Sequence, residues 1–120
     1  MDNCRIPLPA GLPWLYHWFC RREDTCPLPP HALELFLMGQ AACWLLSFRG
    51  TPEDLTGWLE LLRLEDCRFL ARLDVGQEVV ITDLQALLDQ FGQGLQEAVL
   101  NRSALPGEDI SLTLLVAPEY

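Results

Sequence analysis

Three stretches of this chain place apolar residues at helical spacing and two place them at alternating spacing, with proline and glycine at the breaks. Met1–Pro13 carries three prolines, which fix φ and remove donors, so an extended arm is expected there rather than a regular element. Trp14, Leu15, Trp18 and Phe19 mark one face of a helix over Trp14–Arg22, with Pro13 suited to its first turn. Asp24–Pro30 ends that helix, because a residue before proline is pushed out of the α region. Ala32–Phe48 is apolar nearly throughout. Read as a hairpin, Ala32–Met38 and Ala41–Phe48 pair across Gly39-Gln40, whose leading glycine suits a type II′ turn; the competing reading is a helix buried all round.

Thr51-Pro52-Glu53-Asp54 is a helix start, with a hydroxyl cap, proline at the first helical position and acids on the positive end of the dipole. Leu55, Trp58, Leu59 and Leu62 form its buried stripe. Cys67, Phe69, Ala71 and Leu73 alternate with Arg68, Leu70 and Arg72, the period of a strand with one face on the core. Asp74–Gln77 supplies a turn and Glu78–Ile81 a return strand. Thr82, with Gln85 completing a capping box, opens a long helix whose apolar side runs from Leu84 to Val99; Gly92 and Gly94 interrupt it, so it kinks there or another backbone comes close. Pro106-Gly107 turns the chain into a last strand, Ile110–Val116.

From Ala41 onward this order is β-α-β-β-α-β, which resembles the ferredoxin-like arrangement: an α+β fold with an antiparallel sheet, here with an N-terminal helix and an added strand. Residues 1–30 are read as the arm and amphipathic helix, and residues 31–120 as the α+β core domain. Right-handed crossovers put both crossover helices on one sheet face. The other face, with Arg68, Leu70, Arg72, Ser111, Thr113 and Leu115, is left to solvent, to the Trp14 helix or to a second copy in a homodimer.

Charge narrows the choice of partner. The 17 acids outnumber 8 bases, all arginine, for a net charge of −9. Up to Pro30 three acids meet three arginines, so 14 acids face 5 arginines beyond it. This balance argues against binding a phosphate backbone, and nucleic acid is not expected as a ligand. The acid excess is either a self-repelling solvated surface or complementarity to a basic partner. No long uncharged apolar run appears and Met1–Arg5 does not lead from basic to apolar residues, so membrane insertion is not expected and a cytoplasmic location is. Five cysteines at irregular spacing suit reduced thiols, and Asn101-Arg102-Ser103 is a chance match to a glycosylation sequon.

Candidate chemistry is sparse. His17, Cys20, Cys26 and His31 offer two imidazoles and two thiolates, a tetrahedral zinc set, with His17 and Cys20 one helical turn apart. Their spacing matches no tight two-cysteine knuckle, so an amphipathic helix followed by a linker is preferred and no cofactor is expected. A Cys20–Cys26 disulfide conflicts with the expected compartment. A Cys20 nucleophile with His17 as base has no orienting third group or oxyanion loop beside it. Cys43 and Cys67 lie in apolar strand patterns and read as core. The acid pairs Glu53-Asp54, Glu65-Asp66 and Glu108-Asp109 sit at element edges, where they cap helices or mark turns. No phosphate-binding glycine motif occurs at a strand-to-helix turn.

Surface for partners remains. Trp14, Tyr16, Trp18 and Phe19 crowd four aromatics into one short helix, of the residue types that anchor interfaces. Leu35 and Leu37, on the expected Ala32–Met38 edge strand, are a second docking site for a copy of the chain or an extended peptide. The expectation is a non-enzymatic interaction module: a small acidic adaptor, assembly factor or export chaperone of a larger, bacterial complex. The alternatives are an inhibitor or immunity-type protein masking a basic active site, and a small zinc-binding module.

Overall fold

A computed structural model describes residues 3–21, 28–61, 67–89, 94–102 and 109–118. The fold is α+β, with a five-stranded mixed sheet carrying helices on both faces. The elements are β1 (Asn3–Pro7), α1 (Leu12–Phe19), α2 (Pro30–Leu37), β2 (Ala42–Gly50), α3 (Pro52–Leu61), β3 (Cys67–Val75), α4 (Ile81–Asp89), β4 (Leu95–Arg102) and β5 (Ile110–Pro118). The strand order is β1-β2-β5-β3-β4. All neighbours pair antiparallel except β3 and β4, which run parallel.

From Ala42 onward the elements therefore run strand, helix, strand, helix, strand, strand, not the ferredoxin-like order expected, and the sheet is mixed rather than antiparallel. Two local features move the boundaries. Gly94 lies so close to β3 that a Cβ there would stand 2.8 Å from the Cys67 carbonyl oxygen and 2.7 Å from the Phe69 ring. Backbone approach, not a kink, is what that glycine serves, and Leu95–Arg102 is a strand instead of the end of a helix reaching Val99. Glu78–Ile81 is not a return strand. β3 continues to Val75, Val79 donates to the Gly76 carbonyl in a turn at 3.3 Å and buries its side chain, and α4 begins at Ile81.

Ala32–Met38 is likewise not a strand. Pro30 takes a first-turn position of α2, and Leu33, Phe36 and Leu37 bury at helical spacing. Gly39 at φ 79° stops the helix, so the glycine that suited a hairpin turn acts as a helix terminator. The arm forms an element after all: Asn3–Pro7 pairs with β2 from Asn3 opposite Leu46 to Pro7 opposite Ala42. Pro7 is tolerated because β1 is an edge strand.

The α3 start is as expected. Thr51 Oγ1 accepts from the Asp54 amide at 3.3 Å and Asp54 Oδ2 from the Thr51 amide at 3.4 Å. Leu55 and Trp58 from α3, with Leu88 of α4 beside them, bury against Phe69, Ala71, Leu73, Ile110, Leu112 and Leu114 on one sheet face. Both crossover helices share that face, as right-handed connections stepping in one direction require. The opposite face is covered by α1 and α2, whose Leu15, Phe19, Leu33, Phe36 and Leu37 meet Cys43, Leu70, Val99, Leu115 and Ala117. No helix among the described residues is long and apolar enough to cross a membrane.

Candidate functional site

Arg72 of β3 is 1% exposed, the largest of the fully buried side chains among the described residues. It lies on the sheet face under α1, beside Thr113 of β5 and Val99 of β4 in the strand registers. A buried guanidinium is costly unless paired and hydrogen-bonded. Its Nε and Nη2 donate to the two carboxylate oxygens of Asp74, both at 3.2 Å, a bidentate pair that strand alternation sets up by placing residues two apart on one face. Asn101 Nδ2 of β4 donates to Asp74 Oδ1 at 3.2 Å, and Arg72 Nη1 donates to the Trp18 carbonyl oxygen at 3.3 Å. The cluster thus ties the last turn of α1 to the centre of the sheet.

What that turn carries is aromatic. At 100° per residue Leu15 and Phe19 point to the sheet, Tyr16 to one flank and Trp14 with Trp18 to the opposite flank. Leu15 and Phe19 are fully buried. The Tyr16 hydroxyl donates to Glu34 of α2, joining the two helices, and that bond is the main reason its pKa is pushed up to about 12. The Trp14 and Trp18 rings stack at 5.6 Å between centroids and 10° between planes, and the Arg21 guanidinium sits 5.0 Å from the centroid of Trp18. Trp14 remains 45% exposed. Trp18 Nε1 is buried without a hydrogen-bond partner among the described residues.

The residues expected to bind a partner are therefore divided among four settings. Phe19 and Leu37 are core; Tyr16 spans the two helices; Trp14, backed by Trp18, faces outward on one flank of α1, while Leu35, 51% exposed, stands on α2 above β3 and β4. Leu35 and Leu37 belong to a helix rather than to an edge strand, since they follow a proline start and share the pattern of Leu33 and Phe36.

Of the histidine and cysteine set, His17 and His31 are exposed, Cys20 is half-buried and Cys26 lies outside the described residues. Burial, followed by the Glu34 charge, raises the Cys20 thiol pKa, the direction opposed to an easily formed thiolate. Among the described residues no three His, Cys, Asp or Glu side chains gather at metal-binding distance. Cys43 is fully buried and its pKa is pushed up to about 11, by burial first and by nearby Cys4 second.

Two residues that matter here are not visible as site residues in the sequence. Arg72 alternates with apolar positions on a face that the sequence leaves to solvent, to the Trp14 helix or to a second copy, and the signal for burial is Leu70 and Leu115 on the same face. Glu34 sits in the stretch read as a strand, which hides its partnership with Tyr16. No family model matches this chain, and no curated protein does.

Proposed function

We propose that this chain is a non-enzymatic protein-binding module, a small acidic adaptor of the assembly-factor or export-chaperone kind, which anchors its partner on Trp14. The observation that carries this reading is the stack of Trp14 on Trp18, with the Arg21 guanidinium over the Trp18 ring. Tryptophan and arginine are the residue types most often found at the centre of binding energy. An indole already held by a neighbour loses less rotamer freedom on docking than a free one. The Arg72 contact to the Trp18 carbonyl supports the same reading, because it fixes the helix that presents the stack.

Affinity capture from the source cell with Trp14→Ala as the paired bait tests this. A specific partner held by the native chain and lost by the variant, with unfolding midpoints matched, is the expected result; a partner held equally by both overturns the assignment.

The net charge of −9 favours a second reading, an inhibitor or immunity-type protein covering a basic active site. Ionic strength separates the two. A charge-steered complex associates much more slowly as salt rises, whereas one anchored by an indole changes little.

A further inference from the structure

The two edges of the sheet are unlike. β1 is five residues long and ends in Pro7, a protected edge. β4 is eight residues long, without proline, and among the described residues pairs with β3 alone. Along β4, on the face that α2 covers only in part, runs a groove of about 310 Å³. Leu70 is its floor, Leu35 and Phe36 are its α2 wall, and Glu97, opposite Leu70 in the strand register, stands on its β4 side. Arg68 at the groove is already engaged, donating to the Phe36 carbonyl oxygen at 3.1 Å with its guanidinium 5.1 Å from the Phe36 ring centroid. The Glu97 side chain is exposed and makes no hydrogen bond or ion pair among the described residues.

We propose that β4 and this groove accept an extended, basic segment of a partner protein, which adds as a sixth strand. Backbone groups on the outer side of β4 supply the pairing, an apolar side chain of the segment packs toward the exposed Leu35, and an arginine or lysine on the same face of the segment meets Glu97. Charge selects this occupant over a second copy of the chain: two molecules of net charge −9 repel, and pairing β4 with itself brings a second Glu97 to the same edge. The surface is separate from the Trp14 flank, so this site and the one proposed above stand or fall independently.

The probe is an end-blocked peptide of β4's length in which arginine and valine alternate on one face and threonine fills the other. Added to the full chain, it should slow amide hydrogen exchange over Leu95–Arg102. Glu97→Gln should weaken its binding about tenfold, and Trp14→Ala should leave it unchanged. The same peptide with alternate backbone nitrogens methylated, or with glutamate replacing arginine, should not bind. Protection mapping away from β4, equal binding of the methylated or the glutamate peptide, or a dimer of the free chain closed through β4 would each overturn the proposal.

Discussion

Arg72 reaches from the middle of β3 to the backbone carbonyl of Trp18, at 3.3 Å, while its other donors hold Asp74. One buried side chain thus couples the sheet to the helix that displays the indole stack. Removing one member of a buried ion pair leaves the other charge uncompensated, so Arg72→Leu should cost about 3 kcal/mol of unfolding free energy in a denaturant titration. The double change Arg72→Leu with Asp74→Leu should recover part of that loss, because no lone carboxylate is then left behind.

On the proposed reading Trp14 contributes more to recognition than to folding. It is nearly half exposed, and an aromatic pair of this kind is worth about 0.5–1.5 kcal/mol beyond its buried area. Trp14→Ala should therefore leave the unfolding midpoint close to the native value. It should also abolish the exciton couplet that two stacked indoles give in far-ultraviolet circular dichroism. A couplet that survives the substitution would place the stack elsewhere.

The bond between Tyr16 and Glu34 makes stability depend on alkaline pH. The hydroxyl donates to the carboxylate, and this bond first, then partial burial, then the Glu34 and Cys20 charges, moves its pKa from 10.0 to about 12. A pKa raised in the folded state adds stability that is complete below the unfolded value and lost as pH rises through the folded one. The loss should fall between pH 10 and about 12, and should shrink in Tyr16→Phe. Unfolding midpoints measured across that window, beside a phenolate absorbance titration, check the sign.

Thiol reactivity should divide along the same lines as burial. Cys4 is exposed on the edge strand, while Cys43 is buried with a pKa pushed up to about 11. At neutral pH an alkylating probe followed by mass spectrometry should label Cys4 well before Cys43. Equal rates would mean that β1 leaves β2 often enough to expose Cys43.

Much of this architecture is legible in the residues, and the misreadings have local causes. Thr51 to Trp58 is read correctly because cap, proline and stripe agree. Cys67–Leu73 and Ile110–Val116 are read correctly because alternation is unambiguous. Leu33 to Leu37 misleads because a short apolar run lacks a period, and its proline start and the positive φ of Gly39 carry the decision. Leu95 to Arg102 misleads because Leu95 and Val99 are spaced four apart, as on a helix, while the close approach of Gly94 to Cys67 is a tertiary fact. At the candidate site the exposure of Trp14 follows its residue type, but the burial of Arg72 depends on α1 packing over a face to which the sequence assigns no single cover.

Docking of a partner on the Trp14 flank of α1, as proposed, has a direct physical readout. Site-specific photo-crosslinking tests it most directly, with a benzophenone side chain placed at Trp14 in one variant and in another at Val80, an exposed residue just before α4. The partner should be captured from position 14 and not from position 80. Capture from position 80 alone, or equally from both, would contradict it.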